Sequence, residues 1–367
     1  MRAGDAFVTG SLRRGPTLSF RTAAPALGAA LLFGASTPLA KLFLGATPPL
    51  LLAGLLYLGS GVGLAVLLGL RSARPRRGGP AFFAIPGKDL PWLFGAIVAG
   101  GMLGPALLMA GLAKTSAASA SLLLNVEGVF TALLAWVVFR ENTDRRIVAG
   151  MAAIVVGGGL LAWEPGAAAL APGALLVVGA CLAWAIDNNL TRKVSANDAM
   201  LIACLKGLIA GACNTALALY GGAVLPPAGA LATTLLVGFT GYGLSLALFV
   251  VALRTLGTAR TGAYFSVAPL FGVLIAFALW PQAPHALFWA AAALMAFGVW
   301  LHLRERHVHS HTHEPLQHTH QHRHDAHHRH DHDFEWDGSE PHVHPHGHAA
   351  MTHGHVHYPD LHHRHTH

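Results

Sequence analysis

Residues 28–41 read GAALLFGASTPLAK, and residues 179–192, a shift of 151, read GACLAWAIDNNLTR. The shift lays Phe33 on Trp184 and Lys41 on Arg192. A second shift, of 141, lays residues 125–130 (NVEGVF) on residues 266–271 (SVAPLF). The chain therefore repeats itself, and the second copy is shorter by about ten residues between its second and third apolar runs.

Around these stretches the composition is that of a membrane protein. Of 367 residues, 53% are apolar, only 11% are charged and 42 are Gly, where a soluble domain carries about 25% charge. A water-soluble core is excluded on that ground. A transmembrane helix takes about 20 mainly apolar residues. That window predicts ten spans, near 23–44, 48–70, 90–110, 118–138, 146–163, 172–190, 199–219, 231–253, 262–280 and 286–303. Five fall in each copy. An odd number of crossings turns the second copy upside down relative to the first, the inverted-repeat plan of secondary transporters. The expected organisation is an N-terminus at 1–22, a first repeat at 23–163, a linker at 164–171, a second repeat at 172–303 and a tail at 304–367. The first apolar run is too long for a signal-peptide core and lacks a small-residue cleavage site, so it reads as a span.

Charge gives the orientation. Of the 24 Lys and Arg, 21 fall on one side of the ten spans, Lys41 and Lys114 fall on the other, and Lys206 lies inside a span. The positive-inside rule then predicts both termini in the cytoplasm, in the cell membrane. Because the basic residues sit in short segments between apolar runs, no nucleic-acid partner is expected. Cys181, Cys204 and Cys213 lie inside apolar runs with no CxxC pairing, which supports neither a disulfide framework nor a zinc ribbon. The sequence has no GxxxxGK[ST] motif, which disfavours ATP-driven transport by this chain alone.

Several stretches resemble EamA-type ten-helix carriers of the drug/metabolite transporter superfamily. They are the aromatic–Gly opening at residues 32–37 (LFGAST), AKTSAASAS at 113–121, FRE at 139–141 with VAG at 148–150, and TARTGAYFSVAPLFGVL at 258–274 with its Pro269. The resemblance covers about residues 23–303. It implies an all-α membrane fold of two inverted five-helix repeats, no enzymatic activity, and export or exchange of a metabolite or drug-like solute coupled to protons or a counter-substrate. The chain departs from the pattern at Glu127 and Gly128, where the family has a Pro-containing step, and at Gln282, which stands where the first repeat has Glu141.

Ionisable residues deep in a span are costly and default to function. Glu127, in the fourth span, reads as a coupling carboxylate or a ligand for a cationic substrate, or else as the structural ion-pair partner of Lys206 in the seventh span. Asp187, in the sixth span, reads as a cavity residue or as an interfacial residue neutralised by Arg192 and Lys193. The repeat lays Ser36 on Asp187, so both helices are expected to turn polar groups, Asn188 included, toward one cavity. Asn125 and Asn214 add hydrogen-bonding groups that read as cavity residues or as interhelical contacts. Gly100 with Gly104, and Gly207 with Gly211, read as close-packing positions.

Of the 25 His, 23 lie between residues 307 and 367. They form six groups: His307, His309, His311, His313; His318, His320, His322, His324; His327, His328, His330, His332; His342, His344, His346, His348; His353, His355, His357; and His362, His363, His365, His367. Spacing of i and i+2 in an extended chain sends imidazoles to one side, a pattern suited to Zn, Ni, Co or Cu, with Asp325, Asp331, Asp333, Glu335 and Asp337 as oxygen donors. With no apolar core, the tail is expected to be disordered without metal. It also reads as a pH-sensitive brush, since protonating its 23 His would move its charge from −4 toward +19.

Three functions stay open at this level: a metabolite or drug exporter with a metal-sensing or metal-storing tail, a transition-metal carrier whose tail collects the ion, and a membrane metal sensor. The expected partners are the bilayer, a small-molecule or metal substrate and, in a homodimer, a second copy of the chain. No cofactor is expected for transport itself.

Overall fold

In the computed structural model the described residues are 20–72, 85–139, 145–164, 169–194, 197–256, 261, 264–281, 284–303, 307–313, 316–322, 342–348 and 351–357. Two compact units divide the chain, at 1–303 and 304–367.

The first unit is helical. Its helices are α1 (Phe20–Phe43), α2 (Pro49–Ser72), α3 (Gly87–Lys114), α4 (Ala117–Val138), α5 (Arg145–Ala162), α6 (Pro172–Lys193), α7 (Ala199–Tyr220), α8 (Ala228–Ala252), α9 (Ala268–Leu279) and α10 (Ala286–Leu303). The first eight are long and apolar enough to cross a bilayer, and α9 and α10 are shorter apolar helices. A short antiparallel pair, β1 (Trp163–Glu164) with β2 (Ala169–Leu170), stands between α5 and α6. Leu52, Leu56, Leu108, Met109, Leu122 and Ile154 fill the main core. Val66, Phe94, Val138, Trp289 and Phe297 are exposed on the outside. An apolar exterior around a helical core is what hydrocarbon surroundings require, because every backbone group must be satisfied within its helix.

Small residues set how closely the helices pack. α2 lies along α7 with almost no side chain between them: a Cβ on Gly61 would stand 2.5 Å from the backbone nitrogen of Leu208, and one on Gly207 would stand 2.7 Å from that of Gly61. Gly207 and Gly211 thus face α2 as close-packing residues.

The two halves share two irregularities at equivalent places. Residues 124–125 form a turn that interrupts α4, and residues 266–267 form a turn just before α9. The shift of 141 lays Asn125 on Ser266. The expected ninth span, 262–280, is therefore interrupted at 266–267, with helical backbone at 264–265 and again over Ala268–Leu279. The backbone also widens, underwound, into π-helix at Ile97–Leu103 in α3 and at Phe239–Leu244 in α8. The same shift lays residues 98–103 on 239–244. Such segments are rare, cluster at functional sites and displace carbonyls from the regular ladder. Contacts repeat as well: a Cβ on Gly100 would collide with the Asp187 carboxylate, and one on Gly241 would meet the Cβ of Ser36 at 2.6 Å. Since Ser36 lies on Asp187 and Gly100 on Gly241 in the repeat, the duplication read from sequence is also a duplication of packing.

In the second unit the described residues are four strands. Its backbone pairs in two antiparallel ribbons, β3 (His307–His313) with β6 (Met351–His357) and β4 (Leu316–His322) with β5 (His342–His348). Isolated two-stranded pairs of this kind are marginal in water.

Candidate functional site

The site forms where α6 meets α3, α4 and α7. Asp187 and Asn188 are consecutive, so a helix sends their side chains about 100° apart and each reaches a different neighbour. Asp187 is 5% exposed. Lys206, on α7, donates to its Oδ1 at 2.6 Å and its Oδ2 at 2.5 Å, and Thr191, one turn along α6, donates to Oδ1 at 2.8 Å. Lys206 therefore pairs with Asp187 and not with Glu127, because α6 and not α4 brings a carboxylate to its face of α7. Asp187 is buried and Lys206 partly so, and the contact of the ammonium with both carboxylate oxygens, together with the additional hydroxyl donor, is what such a pair needs to offset its desolvation.

Glu127 is held differently. It lies in the first turn of α4 beyond the interruption at 124–125, half-buried, and its Oε1 accepts from Asn188 Nδ2 at 2.9 Å. Thr131, one turn further along α4, lies 3.4 Å from the same amide nitrogen. Asn189 donates to the carbonyl of Ala185 at 2.9 Å and ties α6 to α4 through the carbonyl of Thr131 at 3.5 Å. Thus one carboxylate of the site is matched by a cation and the other by a neutral amide. A neutral partner supports a carboxylate in either protonation state, accepting from the amide in both, which suits a group that gains and loses a proton.

The π segment of α3 provides a further layer. Its Gly100 carbonyl accepts from Tyr57 Oη at 3.0 Å and from Trp184 Nε1 at 2.9 Å, and its Met102 carbonyl accepts from Asn214 Nδ2 at 3.1 Å. Asn214 is thus an interhelical tie between α7 and α3. Asn125 donates to the carbonyl of Leu122 at 2.9 Å, within the interruption of α4. Ser36 is buried and donates to the carbonyl of Phe33, at 2.6 Å. Around these groups run aromatic rings: Phe33 meets Tyr242 edge-on at 6.0 Å and Phe265 at 5.4 Å, and Tyr57 meets Tyr242 at 5.6 Å.

Sequence reasoning placed Glu127, Asp187, Asn188 and Lys206 in the cavity set, and the structure brings these four together. It missed Tyr57, Thr131, Thr191, Trp184 and Tyr242. Trp184 carried a signal, since the repeat aligns it with Phe33; the others have no spacing that distinguishes them.

A separate cavity of about 950 Å³ is lined by Lys41, Ser116, Ser119, Trp163, Trp280 and His285, among others. Lys41 donates to the carbonyls of Leu112 and Thr115, closing the C-terminal end of α3.

In the tail, the His of β3 to β6 are placed by their backbone only. His324, His327, His328, His330, His332, His362, His363, His365 and His367 lie outside the described residues, as do Glu141 and Gln282. Among the side chains described, no group of three or more His, Cys, Asp or Glu could hold a metal ion.

Comparison with known proteins points one way. An uncharacterized transporter from Methanothermobacter thermautotrophicus is 28% identical over 264 residues, covering 68% of this chain and 76% of the relative. A solved structure, described as the crystal structure of a protein, superposes with a TM-score of 0.57 at 19% identity, over 76% of this chain and 95% of that one. The model of the EamA-like transporter family matches twice, at residues 22–163 and 171–304. With both halves matched, the chain belongs to the EamA-like transporter family and is a multi-pass membrane transporter of small solutes.

Proposed function

We propose that the protein is a secondary transporter of the cell membrane that exports a small metabolite or drug-like solute by alternating access of its two halves. Glu127 is the coupling carboxylate of this cycle, binding a proton or the cationic part of the solute in turn. The observation that carries the reading is the position of Glu127 in the first turn beyond the interruption of α4, held by the amide of Asn188. Interrupted helices at matching points of two repeats are where secondary transporters build their sites. The Asp187–Lys206 pair fastens α6 to α7. Lys and Arg asymmetry supports cytoplasmic termini.

The test is flux in proteoliposomes, scanned across about pH 5 to 8, for the wild type and Glu127→Gln. The variant is expected to fold normally and to lose its response to a pH gradient, with coupled flux at a tenth or less, the change that ~1.4 kcal/mol produces. Equal gradient-driven flux in both proteins would reject the coupling role.

The 23 His of the tail favour a metal-binding role on the cytoplasmic side. They also support a second reading, a transition-metal carrier. Cells expressing the full chain or a version ending after Arg306 separate the two readings by uptake and efflux of Zn, Ni, Co and Cu. Metal flux through the truncated core supports the carrier. Metal binding by the tail with no metal flux in either form supports solute export with a regulatory or storage tail.

A further inference from the structure

We propose that the tail holds divalent transition-metal ions between facing histidines of paired segments, so that the ion joins stretches of chain far apart in sequence. The proposal rests on the reading of the tail as metal-binding. What it adds is where the ion sits and which segments it connects.

The register carries the argument. In the pairing of β4 with β5, His318 stands opposite His346, His320 opposite His344, and His322 opposite His342. In the pairing of β3 with β6, His307 stands opposite His357, His309 opposite His355, and His311 opposite His353. Six pairs of histidines thus face one another. The intervening positions pair residues of other kinds, such as Thr319 with Pro345 and Thr312 with Thr352. A slip of one residue in either ribbon would set every one of these histidines opposite a residue of another kind.

Chemistry follows from strand geometry. Residues two apart on a strand share a face, at about 7 Å. Residues directly opposite on an antiparallel pair have Cβ atoms about 4.5–5.5 Å apart. Zinc binds imidazole nitrogen at about 2.0–2.1 Å and prefers four ligands in a tetrahedron. Two neighbouring facing pairs therefore offer four imidazoles to one ion, a donor set for Zn, Ni, Co or Cu. The ribbons are also nested, β4–β5 lying in sequence between β3 and β6. Closing the inner ribbon shortens the loop that the outer one must close, which lowers its entropic cost. Because a bare two-stranded pair is marginal, the ion supplies the stabilisation that the sequence lacks.

The experiment uses the full-length protein in nanodiscs, with Cys181, Cys204 and Cys213 replaced by Ala and nitroxide labels on introduced cysteines. Matched pairs are Thr319→Cys with Pro345→Cys and Thr312→Cys with Thr352→Cys; the mismatched pair is Thr319→Cys with Thr352→Cys. On titration with Zn²⁺, dipolar broadening should appear in both matched pairs, reverse with a chelator, and be absent from the mismatched pair. Zinc binding by equilibrium dialysis gives a second readout. Replacing His318, His320 and His322 by Gln should remove as much bound zinc as replacing those three together with His342, His344 and His346. Additive losses would mean that each strand binds alone. If zinc binds but broadening is equal in matched and mismatched pairs, the facing-pair arrangement is overturned while a metal-binding tail stands. If no zinc binds, the reading on which the proposal rests fails as well.

Discussion

Asp187 and Glu127 show how two carboxylates within one site come to play different parts. Asp187 faces Lys206 and the hydroxyl of Thr191, and both of its oxygens are engaged by the ammonium. Removing one partner of a buried pair leaves the other charge uncompensated, at a cost of about 3–5 kcal/mol. Lys206→Ala is therefore expected to lower the yield of folded protein severely. Asp187→Asn with Lys206→Met, which removes both charges, should recover most of it. Size-exclusion profiles and thermal melting of the purified variants in detergent measure both effects, and a double variant as poor as Lys206→Ala would refute the structural role of the pair. Glu127→Gln should behave in the opposite way, with normal folding and altered transport, because Gln keeps an oxygen that accepts from Asn188. None of this pairing was legible in the sequence. Spacing along a chain marks Glu127, Asp187 and Lys206 as unusual, but only the packing of α6 against α4 and α7 decides which of them meet.

At the scale of the elements, the two π segments and the two helix interruptions carry the irregular geometry. Gly100 and Gly241 lack side chains where α6 and α1 cross them, and any Cβ there would meet Asp187 or Ser36. Gly100→Ala and Gly241→Ala are expected to destabilise the protein by about 1–3 kcal/mol each, the usual cost of overpacking. Gly128→Ala, at a position with no atom within 4 Å of an added Cβ, should be neutral or slightly stabilising. Thermal melting in one detergent ranks the three, and a Gly128→Ala variant as unstable as the other two would contradict the packing argument. A second contact acts at the ends of helices. Asp198 caps α7 by accepting from the backbone N–H of Met200 at 2.9 Å and Leu201 at 3.3 Å, and it pairs with Arg71 at the end of α2. Burial alone would raise its carboxyl, but the Arg71 guanidinium and these N–H groups hold it below its ordinary 3.8. A depressed carboxylate stabilises the fold above its unfolded-state pKa and loses that contribution as pH falls through the folded value. The wild type should accordingly lose thermal stability between about pH 5 and pH 3, and Asp198→Asn should lack that part of the pH dependence.

For the molecule as a whole, the sequence disclosed the general plan and concealed the particulars. Apolar windows and the shifts of 151 and 141 were enough to expect ten spans in two related halves, since hydropathy and duplication are written directly in residue order. Helix interruptions escaped that reading: a window that averages over about 20 residues passes across a two-residue turn. So did the π segments, whose Gly content also suits plain close packing, and the cavity beside Lys41, which no linear pattern outlines. The most consequential departure from symmetry lies in Ser36 and Asp187, which hold equivalent places in the two halves yet differ in charge. In the alternating-access cycle proposed above, two identical halves would make the inward-open and outward-open forms equivalent by a two-fold rotation and equal in energy, and the empty carrier would divide itself evenly between them. With an ion pair in one half and a hydroxyl in the other, that degeneracy is lifted. In the proposed cycle the carrier would keep a preferred resting form before any solute arrives and begin from an uneven start.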